Sequence, residues 1–388
     1  MPKLFEHPFL GRGFRPFFLL AALYSVVSLL LWGGFFSGHV TLPEVLNDPI
    51  SWHAHEMIYG FTMAVVAGFL LTAVANWTGG APARQIHLGG LCLIWLAGRI
   101  VMNFELGLPL WLVYSIEAAF IPALAFSLAL PLLRSWNKRN FVFLALLSIL
   151  FACDIWFFVG EIRQPLYIAL LMILIMISLI GGRIIPAFTV AALRRRGEEA
   201  YQNAQPKLDV LALISLVALG LTWAFAGFDN PVFSFIAFLS AIVHGLRLRR
   251  YHTRRILNDP MVWILHAGYG WLVIGLLMLG FAGLGMITLS TALHALTAGS
   301  IGSMTLGMMC RVTLGHTGRN LLAEPVTVLS FILMQVTGIM RVLGPLLMPE
   351  YTNSWIIGSA ALWAMCFALY VPVYAPMLWT PRPDGREV

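Results

Sequence analysis

Charge is what this sequence has least of. Only 11% of its 388 residues are Asp, Glu, Lys or Arg, where a soluble domain carries about 25%. That deficit excludes an ordinary globular enzyme, a disordered chain and a nucleic-acid-binding protein. Cysteine is scarce too. Cys92, Cys153, Cys310 and Cys366 all fall in apolar runs and form no Cys-x-x-Cys pair, so neither a disulfide framework nor a zinc knuckle is expected. A small-residue cleavage site is missing after the first apolar run, and the stretch from Pro16 to Phe36 reads as a retained span rather than a signal peptide.

What fills the chain instead is apolar: 60% hydrophobic residues and 13 Trp, with a mean hydropathy of +0.85. Crossing a bilayer as a helix takes about 20 such residues. Spans are expected near 16–37, 52–76, 88–104, 109–133, 140–160, 165–190, 208–227, 230–247, 261–282, 285–311, 325–347 and 353–377. Their sidedness follows from the loops, because short cytoplasmic loops gather Lys and Arg. Alternate connections hold Arg12 and Arg15, Arg84, Arg134 with Lys138 and Arg139, Arg194 to Arg196 with Lys207, Arg247 to Arg255, Arg311 with Arg319, and Arg382. The intervening ones offer Asp48, Glu105, Asp229 and Glu350, with Arg163 as the one basic residue. The pattern predicts an all-α, polytopic membrane protein of about twelve transmembrane helices with both termini cytoplasmic. It forms a single integral membrane domain over residues 1–388, with a charged cytoplasmic loop at 191–207 between spans 6 and 7. The six-and-six division invites comparison with repeat-built transporters, although no sequence pattern matches between the halves.

Ionisable groups at membrane depth are costly and functional by default. Six charges lie well within spans: Glu56, Arg99, Glu117, Asp154, Arg183 and Arg341. His55, His244, His266 and His294 join them, with His53 at a span mouth. Counted at about 1.5 Å of rise per residue, His55, Glu56, Arg99, Glu117, Asp154, His294 and Arg341 share one outer layer. Arg183, His244 and His266 lie further in.

Two imidazoles on facing helices, with arginines for the propionates, are a common way to hold a heme in a helical bundle. His55 and His294 are the candidate ligands, and Arg99 and Arg341 the candidate propionate contacts. Ala298, Gly299, Ser300, Gly302 and Ser303 after His294 would let a porphyrin approach span 10, or would simply pack helices. His53 and His55, about 200° apart around a helix, cannot face one iron, so His53 beside Trp52 is a candidate for a separate metal-ion site, or a rim or interface residue. His244 and His266 agree in depth within about one turn. With Met304, Met308, Met309 and Cys310 they form a candidate copper set, and His266, near Arg183 and Tyr269, is a candidate second gas-binding site. Glu56, Glu117 and Asp154 would tune ligands, carry protons or pair with the arginines. The rival from another class is a proton-coupled secondary transporter built on the same buried His and carboxylates.

Several long strings occur in order: Trp52-His53-Ala54-His55-Glu56-Met57, Gly68 to Ala73, Asn76-Trp77-Thr78-Gly79, Gly181 to Thr189, His266 to Trp271, His294 to Thr297 and Arg311 to Arg319. On these the chain resembles the NnrS family of bacterial inner-membrane proteins over nearly its whole length. The resemblance implies heme, copper and nitric oxide as the molecule handled in nitrosative stress; a b-type heme and a redox partner outside the chain are the accompanying expectations. It leaves open which residues hold which metal. More distantly, spans 2 and 10 resemble helices of the heme-copper oxidase catalytic subunit, where His55 and His294 would be the axial ligands of a low-spin heme. The oxidases carry a further His where this chain has Ala292, and their helices 6 and 7 carry copper-binding His that spans 6 and 7 here lack. The oxygen-reducing centre is therefore not expected.

Overall fold

The computed structural model describes residues 7–385 apart from 44, 47 and 161, and all regular structure among them is helical. The long helices are α1 (Phe14–Phe36), α2 (Pro49–Thr78), α3 (Gln85–Asn103), α4 (Leu110–Arg134), α5 (Phe141–Gly160) and α6 (Gln164–Arg195). They continue with α7 (Pro206–Ala226), α8 (Pro231–Arg249), α9 (Pro260–Gly283), α10 (289–316), α11 (Pro325–Leu347) and α12 (Thr352–Trp379). Eleven are long and apolar enough to cross a membrane. The exception is α10, long enough but diluted by Gly, Ser, Thr and His. The chain is a polytopic helical membrane protein.

Starts are written locally. Pro49, Pro206, Pro231, Pro260 and Pro325 open five of the helices, where a missing N–H costs no intrahelical bond. The Asp48 carboxylate accepts from the Ile50 and Ser51 amides at the head of α2, and Asn230 and Thr288 cap α8 and α10 in the same way. In α4 the helix is interrupted at Ala119. Pro122 has no N–H to return to the Ala118 carbonyl, so the bend has a covalent cause.

The spans show the inverted polarity of lipid-facing helices. On α1, Leu23, Val27 and Leu30 are exposed while Ser25 and Ser28 are buried, because small residues let backbones approach and leucine is at home in lipid. Gly182 on α6 is a sharper case: a Cβ there would collide with the Arg247 guanidinium of α8.

Two compact units are present. The first comprises residues 1–169, 309–321 and 367–388, and the second 170–308 and 322–366. Their boundary runs through α6, α10 and α12, not through the 191–207 loop. Two helices, α2 and α10, share an internal layout. In each a short α-helical lead ends on a histidine, His55 or His294, and a seven-residue π-helical stretch follows, Glu56–Thr62 or Ala295–Ile301. Such widened turns cost regular hydrogen bonding and recur at functional sites.

Candidate functional site

The first unit gathers the charges that depth counting places in one layer. His55 comes from α2, Arg99 and Asn103 from the end of α3, Glu117 from the turn before the α4 bend, and Asp154 from α5. His55, Glu56 and Asp154 are fully buried, with Glu117 and Arg99 4% and 6% exposed. Close backbone packing brings them together. A Cβ on Gly98 would lie 3.4 Å from the Glu117 Cα, and one on Gly60 would meet the Tyr24 ring at 2.6 Å and Arg99 at 2.8 Å.

Arg99 is consumed inside the cluster. Its two terminal nitrogens donate to Glu56 at 2.6 Å and to Glu117 at 2.8 Å. Glu56 also accepts from Asn103 at 3.1 Å and from the Tyr24 hydroxyl of α1. So held, it takes the Nδ1 side of His55 at 2.9 Å. The other ring nitrogen, Nε2, lies 3.2 Å from Asp154 Oδ1 and 3.7 Å from Glu117 Oε2. Phe157 and Phe158 cover the imidazole, and Tyr59 stacks on it at 4.9 Å.

A neutral imidazole has one N–H to give. If Nδ1 gives it to Glu56, the Nε2 lone pair faces two carboxylates, and something positive must lie between them. Glu117 Oε2 and Asp154 Oδ2 are buried without a hydrogen-bond partner among the described residues, which is expensive for charged oxygens. Three carboxylates also share one arginine, leaving a surplus of negative charge in a low-dielectric interior. Protons would relieve it, and so would a cation. Bonds of about 2.0–2.2 Å at a tetrahedral angle would place ligand atoms roughly 3.4 Å apart; the observed 3.2 and 3.7 Å bracket that value. His55, Glu117 and Asp154 are the one group of three such ligands among the described residues.

His53 turns away, its ring stacked on Trp32 at 4.2 Å, as the 200° separation requires. The second unit holds the remaining candidates. His294 is half-buried, with Nδ1 2.7 Å from the Ser290 carbonyl, an arrangement that assigns the N–H to Nδ1 and leaves the lone pair on Nε2. The lead helix of α10 packs against α11, which carries Arg341. That arginine is 9% exposed, and no hydrogen bond or ion pair joins it to another described residue. The small residues after His294 are filled from other helices: a Cβ on Gly299 would strike Trp271, and one on Gly302 would meet Trp363 at 2.6 Å.

His244 and His266 are not brought into a ligand set. His244 bonds the Ser240 carbonyl at 2.9 Å and the Ser178 hydroxyl at 3.1 Å. His266 is held between the hydroxyls of Thr189 and Thr253 at 2.8 and 2.9 Å. Tyr269 turns its hydroxyl to Arg247 at 3.0 Å. No third His, Cys, Asp or Glu completes a site around either histidine among the described residues.

Residues 8–382 match the family model described as NnrS protein. The chain belongs to the NnrS family. No curated protein is similar enough to the chain to count as a match. Membership covers both units, so the carboxylate cluster and the His294 helix lie within the matched region.

Proposed function

We propose that the chain is a metal-dependent protein of the bacterial inner membrane that binds or disposes of nitric oxide. A metal ion would be held in the first unit and a heme in the second. The observation that carries this reading is the His55 constellation. An imidazole fixed through Nδ1 by a carboxylate and presenting Nε2 to two carboxylates, each with one oxygen lacking a hydrogen bond, resembles the usual environment of a metal-binding histidine. Imidazole with carboxylate suits a divalent first-row ion, copper in its oxidised state and iron among them.

The same contacts speak against His55 as an axial heme ligand. Its Nε2 faces Asp154 and Glu117 at hydrogen-bonding range, where a porphyrin has no place, and Arg99 is already spent on carboxylates. His294 is the better heme candidate on two counts, although Trp271 and Trp363 fill the small-residue face that follows it. Its Nδ1 is held by the Ser290 carbonyl, and Arg341, on the helix that packs against its own, is a buried cation in want of an anion, as a propionate would be. Bound heme iron would supply the atom at which nitric oxide coordinates. Within this chain, His294 would bind and orient the group, Arg341 would neutralise its acid edge, and Glu56 would hold the proton on His55 Nδ1. Metal analysis and an absorption spectrum of the purified protein test the reading. One non-heme metal and a Soret band are expected, and a colourless, metal-free protein from heme- and metal-replete cells would end it.

Proton-coupled transport is the second reading. It is favoured by the unbroken run of close contacts from Asp154 through His55 and Glu56 to Tyr24, which would relay protons as well as it would anchor a metal. Proton uptake into vesicles by metal-free protein, lost in Glu56→Gln, would decide for it.

A further inference from the structure

At its arginine-rich end the first unit contains the opposite imbalance. Arg15, in the first turn of α1, is fully buried. Its Nη1 donates to the carbonyls of Leu378 and Thr380 at the end of α12, at 2.8 and 2.7 Å. Its Nε and Nη2 are buried with no partner among the described residues, and so is Nε of Arg12. Three more guanidinium groups, those of Arg12, Arg319 and Arg382, lie close enough to act on Arg15 by charge. Burial, and then the Arg382 charge, pull the Arg12 guanidinium below its ordinary range. Arg382 is anchored by the His316 carbonyl at 3.0 Å and by both oxygens of Asp384 at 2.9 and 2.5 Å. Arg319 reaches back to the Thr317 carbonyl at 3.4 Å.

Asp384 is the carboxylate among these four arginines, and Arg382 already engages both its oxygens. Among the described residues three positive charges have no counter-charge, one of them on a side chain sealed from solvent. Charge on the loop side explains arginines at a membrane face, but it does not explain one turned inward with two donor nitrogens unmet. Forked guanidinium groups converging from separate segments match the oxygens of a tetrahedral oxyanion.

We propose that Arg12, Arg15, Arg319 and Arg382 form a binding site for a phosphate-type anion, Arg15 being its floor. Both a free phosphate and the phosphate of an anionic lipid headgroup offer this chemistry, and the membrane face is where the second is concentrated. The site is separate from the metal centre and does not depend on the reading given for it.

The test uses the full-length protein in two arms. In neutral detergent, thermal unfolding is followed against inorganic phosphate, with chloride at equal ionic strength as the control. In nanodiscs, native mass spectrometry compares retention of phosphatidylglycerol with that of phosphatidylcholine. Stabilisation by phosphate, or selective retention of phosphatidylglycerol, is expected in the wild type and identifies the source. In Arg319→Gln and Arg12→Gln, partly exposed positions that leave the buried Arg15 in place, either effect is expected to weaken about tenfold, since a charge-assisted contact is lost. No difference from chloride and phosphatidylcholine in the wild type would overturn the proposal. Undiminished binding in both variants would overturn it too, because the arginines would then not be the site.

Discussion

The two charge clusters of the first unit are mirror images in electrostatics and opposites in construction. Around His55, three carboxylates share Arg99, and every group is locked by short contacts from α1 to α5. Around Arg15, four arginines share Asp384, and the central one holds two backbone carbonyls while two of its three nitrogens have no partner among the described residues. The acidic cluster is almost closed and wants something the size of an ion. The basic cluster is unfinished and wants something that can accept several hydrogen bonds. Desolvation makes either surplus unaffordable by itself, so in both places the imbalance is informative about what binds.

The comparison can be broken most severely at Arg99. In Arg99→Met the acidic cluster loses its one permanent cation, so the buried Glu56 and Glu117 lose their ion pair, although Glu56 keeps Asn103, Tyr24 and His55. A loss on the order of 3–5 kcal/mol is expected for such a broken buried pair, read as thermal unfolding in detergent. Added divalent metal should restore part of it if the cluster binds cations; a variant as stable as the wild type would mean that the carboxylates are already neutral. Gly60→Ala ranks second. Its methyl group would press on Tyr24 and Arg99 at 2.6 and 2.8 Å, and overpacking of that kind costs about 1–3 kcal/mol. The same measurement checks it, and a bound metal reduced along with stability would tie the packing to the site. Smallest is Arg319→Gln in the absence of phosphate and anionic lipid. Removing one of several repelling, half-exposed charges should alter stability by no more than about 0.5 kcal/mol, in contrast to its effect on anion binding. A large intrinsic loss would show that Arg319 is structural.

How much of this was legible in the sequence depended on what kind of information each feature needs. Hydropathy and loop charge are local, and they placed the spans and their order. Scarcity of charge made part of the outer layer legible as well: counting residues from span ends puts His55, Glu56, Arg99, Glu117 and Asp154 at one depth with His294 and Arg341, and the first five meet, while His294 and Arg341 belong to the second unit. Tyr24 was missed because a tyrosine in a span carries no signal until something acidic is found beside it. The π-helical stretches after His55 and His294 were missed because an assumed period of 3.6 has no place for a widened turn. In the sequence Arg15 is a sidedness marker like the other loop arginines, since sequence does not distinguish an arginine facing water from one packed under α12. For His244 and His266 the failure ran the other way. Their depths agree, but His244 is satisfied by a carbonyl and a hydroxyl and His266 by two hydroxyls, and depth says nothing about azimuth.

The division of labour between His55 and His294 is the point on which the account of function rests. An absorption spectrum of the purified protein before and after nitric oxide, repeated on His55→Ala and His294→Ala with non-heme metal measured on the same samples, tests it most directly. The account predicts a Soret band that shifts with nitric oxide in the wild type, persists in His55→Ala with the non-heme metal gone, and disappears in His294→Ala with that metal retained. A wild-type protein without a Soret band, or one whose band is lost with His55 and kept without His294, would contradict it.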